Sequence, residues 1–337
     1  MSTSGSGHTT QVTPVVTRLP EPRRASTPPT IGVLTATPWE FAAMRALLDR
    51  PHNDEGTRND PAHYVLGELP SRRSGADHSV VLTQLGRTGT DAAASGCTNL
   101  LRSFASVKLV VMVGTAAGIP DLRHPERHVR LGDIVVATQG VVDYDHVRVN
   151  GDGVQPRRQF PSPSPRLVRC ADRLKADELS GEYPWEEWLG DRMPANLNGY
   201  ARPRPGTDLL HDHTGRRLKH PQRNRTGHRP GLPKVHYGSI GSANRSLRDA
   251  VVRDQVAARH GFLALDMESA GVGSSCFLND REWFVVRGIA DYADSHRNER
   301  WRHYASLAAA GYVRALLAEC LPVEPQYGHD ELASAAN

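Results

Sequence analysis

The amino-acid sequence predicts an α/β protein in which helices sandwich a mostly parallel or mixed sheet. Two observations lead to this prediction. Short apolar segments alternate with helical segments along the chain, which is the order typical of α/β units. The apolar segments are continuous runs of Val, Ile and Leu rather than alternating patterns, and such runs are typical of strands covered on both faces.

The first strand and helix set the pattern. The run IGVLTA (31–36) predicts a strand, and Pro38 suits the first turn of the helix that follows it. That helix is predicted over 39–49 because apolar residues recur at helical spacing, at Phe41, Met44, Leu47 and Leu48. The same patterns predict strands over 78–86, 107–118, 132–142 and 281–291, and helices over 89–104, 165–179 and 301–320.

The composition changes along the chain and predicts its organisation. Residues 1–29 are rich in Ser, Thr and Pro without periodicity, which is typical of a disordered tail. Residues 150–234 carry many Pro, Arg and His residues and are predicted to be an insertion, partly helical, that ends in a long basic loop over 204–234. One domain over 30–322 contains this insertion, and 323–337 form a second tail.

The charge and the apolar runs of the sequence argue against nucleic acid and membrane as partners. The net charge is +4 and the sequence pI is about 9.0, with Arg and Lys interspersed among Asp and Glu. This mild excess indicates no nucleic-acid partner and suits an anionic small molecule. No run approaches the roughly 18 apolar residues that span a membrane, and the N-terminus lacks the apolar core of a signal peptide. We therefore expect no membrane partner and a cytoplasmic location.

Cysteine and histidine residues raise the question of disulfides and metals. The sequence has four widely spaced cysteines without a CxxC pair, and free thiols are predicted over disulfides or metal ligands for Cys97, Cys170, Cys276 and Cys320. Histidines cluster in the basic loop, but zinc sites usually bring closer pairs and Cys or Glu ligands. A solvated loop without metal or other cofactor is expected at His211, His213, His220 and His228.

Three acidic residues stand where an α/β protein binds ligands, which is beyond the carboxyl ends of its strands. Glu268 follows an apolar segment in LALDMESAG, Asp291 follows another in FVVRGIADYADSH, and Glu40 follows the first strand. Each has an ordinary alternative as a helix-start acid or cap. The nearby VGTAAG (113–118) contains glycines that allow close approach of backbone to a ligand.

Six segments in their order resemble the nucleoside phosphorylase superfamily, and most of all its 5′-methylthioadenosine/S-adenosylhomocysteine nucleosidase-like branch. The segments are IGVLTATPWE, VVMVGTAAGIPD, RLGDIVV, VHYGSIGSANRSLRD, LALDMESAG and VVRGIADYADSHRNERW. The resemblance covers 30–149 and 234–320, and the combination of DMES with RGIADYADSH is its most specific part. It implies a three-layer α/β/α sandwich around a central mixed sheet, and a homodimer or higher homo-oligomer.

The resemblance implies an enzyme that breaks the N-glycosidic bond of a purine nucleoside or nucleotide, with adenine as the expected base. Such cleavage needs an acid at purine N7 and an acceptor for the sugar hydroxyls, and carboxylates suit both tasks. Asp291 matches the acid, Glu268 the acceptor for the 2′- and 3′-hydroxyls, and Glu40 the carboxylate that orients or deprotonates the attacking water. Met267 matches a residue that contacts the ribose.

Further positions match parts of the family's binding site. The glycine-containing segment matches the loop that lines the sugar and nucleophile site, at Thr115, Ala116, Ala117 and Gly118. The strip beside the base falls in 237–244, where Ile240 and Ser242 stand in place of the aromatic residue that the family often stacks on the base. Arg287 recurs in the family, and a structural ion pair is expected there.

The nucleophile is predicted to be water. Phosphorylases of this fold hold phosphate with arginines, and Met112 stands where one of them is expected. A phosphate-dependent phosphorylase remains the alternative, because Arg87 could bind phosphate, a 5′-phosphate of the substrate, or only solvent. The basic insertion also suits a defence effector that degrades adenine nucleotides. A non-catalytic nucleotide-binding module is a further alternative, against which the presence of all three carboxylates argues.

Overall fold

The computed structural model describes residues 27–57, 59–151, 153–156, 162–296 and 299–324. Most of the two predicted tails lies outside these residues. Within them the main feature is a mixed sheet of eleven strands, with two small two-stranded sheets beside it. No helix of the described part is long and apolar enough to cross a membrane.

The strands and helices are numbered in chain order. The strands are β1 Ile31–Thr35, β2 Asp49–Asp54, β3 Tyr64–Leu69, β4 His78–Gln84, β5 Leu109–Gly118, β6 Ile134–Val136, β7 Val141–Asp143, β8 Val147–Asn150, β9 Gly153–Pro156, β10 Leu210–His211, β11 Arg217–Leu218, β12 Val235–Tyr237, β13 Ile240–Ser242, β14 Ala264–Asp266 and β15 Glu282–Asp291. The α-helices are α1 Pro38–Ala46, α2 Thr90–Ser103, α3 Pro165–Leu179, α4 Arg223–Thr226, α5 Ala250–His260, α6 Ser269–Leu278 and α7 Arg302–Ala318.

The middle of the sheet is parallel. Strand β1 pairs in parallel with β4 and β5, and β5 pairs in parallel with β15. Strands β6 and β14 join β15 and β5 in the antiparallel sense, which makes the sheet mixed. Because β1, β5 and β15 run in one direction, their carboxyl ends meet at one edge, where an α/β sheet forms its ligand crevice.

Burial explains why these segments form central strands. Every residue of β1 is buried, and β15 is buried from Trp283 to Ala290. Helices α1, α3 and α7 pack as one group, and α2 packs with α6 as another. Helix α7 lies so close to the sheet that a Cβ on Gly288 would come within 1.9 Å of the Ala305 carbonyl oxygen. The predicted three-layer α/β/α sandwich around a mixed sheet is confirmed.

Some predicted boundaries differ from the structure. The strand expected over 132–142 is divided into β6 and β7 around Gly140, which adopts a φ of 89° that favours glycine. Strand β5 ends at Gly118, as predicted, and therefore includes the glycine-containing segment. The first helix ends at Ala46, and the hairpin of β2 and β3 that follows was not predicted because β2 is almost wholly polar and exposed.

The long basic loop expected over 204–234 is instead folded onto the domain. It contains β10, β11 and α4, and His228 is 8% exposed rather than solvated. The Nε2 atom of His228 lies 2.7 Å from Asp133 Oδ2, and Arg130 NH2 lies 2.7 Å from Asp208 Oδ2. Buried hydrogen bonds and one arginine–carboxylate ion pair with the domain therefore replace the apolar contacts that this segment lacks.

The prediction of four free thiols is wrong for one pair. Cys170 of α3 and Cys320, just after α7, form a disulfide, whereas Cys97 and Cys276 are free and buried. The bonded cysteines are 150 positions apart in sequence and meet because α3 packs on α7. Sequence spacing gives no signal for such a pair.

Candidate active site

One cavity at the carboxyl edge of the sheet brings the three predicted carboxylates together. Glu40 lies in the first turn of α1, Glu268 precedes α6, and Asp291 ends β15. All three line a cavity of about 130 Å³. The cavity is also lined by four of the residues that the sequence assigned to substrate binding, namely Met267, Thr115, Ala116 and Ala117.

Glu40 is buried and held by four donors. Its Oε2 accepts hydrogen bonds from the backbone nitrogens of Ala36 at 2.9 Å and Thr37 at 3.0 Å. Its Oε1 accepts from both the backbone nitrogen and the hydroxyl of Thr115 at 2.8 Å. A Cβ on Gly114 would lie 2.7 Å from the Glu40 carboxyl carbon. Glycine at this position therefore gives Glu40 the space to reach β5.

Glu268 connects the start of α6 to the start of α2. Its Oε1 accepts a hydrogen bond of 3.1 Å from the backbone nitrogen of Gly89, just before α2. Its Oε2 lies 3.5 Å from Arg287 NH2. Burial raises the pKa of Glu268 to about 7, and the guanidinium of Arg287 only partly opposes this effect. The carboxyl group therefore changes charge near neutral pH.

Arg287 forms the structural ion pair that the sequence suggested. Its side chain is fully buried, and its Nε and NH2 atoms lie 2.8 and 2.7 Å from Asp266 Oδ2. Ser269 donates to the same carboxylate oxygen and accepts from Arg287 NH2 at 3.2 Å. Because Asp266 and Glu268 flank Met267, this ion pair fixes the segment that carries both predicted ribose-contacting residues.

Asp291 lies at an irregular end of β15. The register with β5 shifts between Ile289 and Asp291, and Asp291 Oδ1 accepts a hydrogen bond of 2.8 Å from the Ala293 nitrogen. Ala293 has a φ of 50°, in the left-handed region that few residues other than glycine adopt. The bulge and the turn lie where Asp291 joins the lining of the cavity.

Four predicted binding residues do not line this cavity. Ile240 is fully buried, and the Ser242 hydroxyl accepts a hydrogen bond of 3.0 Å from the Ala270 nitrogen. A Cβ on Gly118 would lie 2.7 Å from Ile289 Cγ2, so this glycine serves close packing of the sheet. Arg87 lines a separate cavity.

The cavity also contains side chains that sequence reasoning did not identify. The guanidinium carbon of Arg302 lies 4.3 Å from the centre of the Trp39 ring, and both residues line the cavity. Arg245 lies over the Tyr144 ring at 5.2 Å and pairs with Asp145 at 2.9 Å. The Arg302 NH2 atom pairs with Glu299, whereas the buried Nε has no hydrogen-bond partner within the part of the chain that the structure describes. Arg302 and Arg245 line the cavity because of packing between segments distant in sequence. The residues around each arginine in the sequence do not indicate this position.

One group among the described residues has the composition of a metal site. The ligand atoms of Asp133, His228 and His236 lie within 4.8 Å of one another, and all three residues are buried. The Asp133 carboxylate also accepts hydrogen bonds from the backbone nitrogens of Arg130 at 2.8 Å and Lys234 at 3.1 Å. The carboxylate is thus saturated by donors, and this hydrogen-bond network accounts for the cluster without a metal ion.

The α/β/α fold, with a carboxylate-lined cavity at the carboxyl edge of its sheet, defines the class of protein to which this chain belongs. A family model of the phosphorylase superfamily matches residues 30–321. The chain therefore belongs to the phosphorylase superfamily.

Curated relatives fall into three kinds. The chain is 28% identical to a nucleotide-binding leucine-rich repeat (NLR)-like protein of Hyaloscypha variabilis over 90% of this chain and 30% of that protein. It is 25% identical to the 5′-methylthioadenosine/S-adenosylhomocysteine nucleosidase of Mycobacterium tuberculosis over 87% of this chain and 97% of the relative. It is 23% identical to the ATP nucleosidase Cap17 of Escherichia coli over 85% of this chain and 52% of that protein.

Solved structures agree with the fold. The 5′-methylthioadenosine/S-adenosylhomocysteine nucleosidase of Neisseria meningitidis, in complex with methylthio-immucillin-A, superposes with a TM-score of 0.57 at 18% identity, over 85% of this chain and 97% of that one. The futalosine hydrolase of Helicobacter pylori superposes with a TM-score of 0.56 at 14% identity, over 86% and 97%.

Proposed function

We propose that this chain hydrolyses the N-glycosidic bond of a purine nucleoside or nucleotide and releases the free base and ribose or ribose phosphate. The observation on which this rests is the convergence of Glu40, Glu268 and Asp291 on one cavity. The names of the curated relatives support it, because they include nucleosidases of methylthioadenosine and of ATP. Adenine is accordingly the expected base.

Each carboxylate has a separate part in the proposed reaction. The Asp291 carboxyl gives a proton to N7 as the bond between C1′ and N9 breaks, so the base leaves as a neutral group. Glu268, in its ionised form, accepts hydrogen bonds from the 2′- and 3′-hydroxyls and stabilises the positive charge that develops on the sugar. Glu40 orients the water whose oxygen bonds to C1′ and accepts its proton.

Met112 and Arg287 favour water over phosphate as the nucleophile. Met112 is fully buried in β5 and brings no charge to the position where phosphorylases place an arginine. Arg287 is already matched by the carboxylates of Asp266 and Glu268. A phosphate nucleophile needs charge-assisted donors, and neither residue supplies one.

The two cavity arginines favour a substrate with an anionic 5′ group as the second candidate. The Arg302 guanidinium carbon lies 4.3 Å from the centre of the Trp39 ring. The Arg302 NH2 atom pairs with the exposed Glu299, whereas its Nε has no partner among the described residues. A guanidinium N–H without a partner can donate to a phosphate oxygen. The relation to Cap17 supports a nucleotide substrate, and with it a role as an effector that degrades adenine nucleotides.

The direct test is base release by purified protein from adenosine, methylthioadenosine, AMP and ATP, each with and without phosphate. The proposal expects release without phosphate from at least one of them. Release that requires phosphate would establish the phosphorylase alternative, and binding without any release would establish the non-catalytic module.

Assembly and location belong to the same proposal. A homodimer or higher homo-oligomer and a cytoplasmic location follow from the resemblance and from the composition of the chain. Sedimentation equilibrium of the purified protein tests the first, and fractionation of the producing cells tests the second.

A further inference from the structure

The folded insertion contacts a buried tyrosine that lies next to Asp291 in the sequence. Tyr292 directly follows Asp291 and is 2% exposed. The two side chains diverge, because Asp291 lines the cavity whereas the Tyr292 hydroxyl donates to Asp208 Oδ1 at 2.6 Å. Asp208 belongs to the segment 204–234 of the insertion. The insertion thus contacts the residue next to the proposed acid.

Asp208 is itself fixed on the domain. Its Oδ2 accepts a hydrogen bond of 2.8 Å from Arg130 Nε, and Arg130 NH2 lies 2.7 Å away. His220 Nε2 lies 3.1 Å from the Asp208 backbone oxygen. The backbone nitrogen of Leu131 donates to the Tyr292 hydroxyl at 3.2 Å. A buried network with every member bonded is rigid, and removal of one member leaves its partners unsatisfied.

The backbone around Asp291 is restrained on both sides of the tyrosine. Arg253, which is 3% exposed, donates from NH1 to the Tyr292 carbonyl oxygen at 2.7 Å. Beyond Tyr292, Ala293 is in the left-handed region and donates to Asp291 Oδ1. A residue other than glycine keeps a left-handed φ only where the surrounding structure holds the backbone in that conformation. The network behind Tyr292 supplies these surroundings.

We propose that Asp208 and Tyr292 are positioning residues that hold the Asp291 carboxyl at purine N7. The inference rests on the proposed function, because it takes Asp291 as the acid. General acids act only within hydrogen-bond reach of the atom they protonate. Loss of the Tyr292–Asp208 contact should therefore slow the cleavage of substrates whose leaving group needs a proton. It should not slow the cleavage of substrates whose leaving group departs without one.

The first experiment compares two substrates within each variant. The substrates are a purine nucleoside or nucleotide that the wild-type enzyme cleaves and a nitrophenyl riboside, whose phenolate leaves without an acid. Tyr292→Phe and Asp208→Asn are expected to lower kcat on the purine by about tenfold or more and on the nitrophenyl riboside by less than about twofold. Equal losses on both substrates would overturn the proposal. The readout is the ratio of the two kcat values within one variant. A fraction of unfolded enzyme lowers both values equally and leaves this ratio unchanged.

Tyr64→Phe is the matched control. Tyr64 is 1% exposed on β3, donates to Asp60 Oδ2 at 2.5 Å, and does not line the cavity. The Tyr64→Phe variant therefore loses a partly buried tyrosine–aspartate hydrogen bond of similar length, away from the site. Its purine-to-nitrophenyl ratio is expected to equal that of the wild type, and a fall like that of Tyr292→Phe would contradict the positioning role.

A binding experiment separates this proposal from the proposed function. The dissociation constants of adenine and of an analogue with carbon in place of N7 are measured for the wild type and both variants. The wild type is expected to prefer adenine, and the variants to lose most of this preference, whether or not the chain releases base. An unchanged preference in both variants would overturn the positioning role. A wild type that releases no base but shows the expected loss would contradict only the proposed function.

Discussion

Thr115 donates two hydrogen bonds to one oxygen of Glu40, from its backbone nitrogen and from its hydroxyl, both at 2.8 Å. The contact joins β5 to α1 at the point where the sugar and the attacking water would meet. It fixes the orientation of the carboxylate before any substrate binds. The proposed nucleophile site is therefore preorganised by the sheet rather than by a mobile loop.

Thr115→Val tests this preorganisation. The substitution keeps the shape and the backbone donor but removes the hydroxyl donor to Glu40. A hydrogen bond to a charged group contributes about 1.5–3 kcal/mol, so we expect kcat for base release to fall by about tenfold or more. Thr115→Ser, which keeps the hydroxyl, is the control and should stay within a few-fold of the wild type. Equal rates for the Val and Ser variants would contradict the role of the hydroxyl.

Asp291→Asn tests the acid at N7. The amide oxygen can still accept from Ala293, so the turn should persist, but no proton can pass to the base. We expect release from purine substrates to fall by a factor of about a hundred or more. Thermal unfolding should show a melting temperature close to that of the wild type. Near-normal turnover would refute the assignment.

The pH dependence of base release reports on Glu268. Burial raises its pKa to about 7, so the group is neutral below that pH and ionised above it. The ionised form is the stronger acceptor for the ribose hydroxyls and stabilises the positive charge on the sugar, so kcat/KM should rise as the pH increases through about 7. In Glu268→Gln this rise should be absent. If kcat/KM of the Gln variant still rises through the same pH range, the rise belongs to another titrating group.

Arg302→Gln distinguishes nucleotide from nucleoside substrates. If Arg302 binds a 5′-phosphate, the variant should raise KM for AMP or ATP by about tenfold or more and leave that for adenosine nearly unchanged. Arg314→Gln is the matched control, because Arg314 lies on the same helix and over the Trp188 ring at 4.8 Å, away from the cavity. A parallel loss on nucleosides and nucleotides would exclude a 5′-phosphate contact.

The sequence predicted the site best where local pattern and topology coincide. Glu40 and Asp291 stand at the ends of continuous apolar strands, and parallel strands bring such positions to one edge of the sheet. Arg302 could not be placed in the same way, because its distance from Trp39 depends on how α7 packs on α1. The unpatterned segment with Asp208 could not be placed for the same reason: it is held by buried polar contacts to residues distant in sequence.

The most direct test of the proposed function follows the oxygen atom that reaches C1′. A substrate that releases base is incubated in water labelled with heavy oxygen, in the presence of excess phosphate, and the sugar product is examined by mass spectrometry. The hydrolytic mechanism predicts one labelled oxygen at C1′ of free ribose or ribose phosphate and no sugar phosphorylated at C1′. A sugar product phosphorylated at C1′ without label would contradict it.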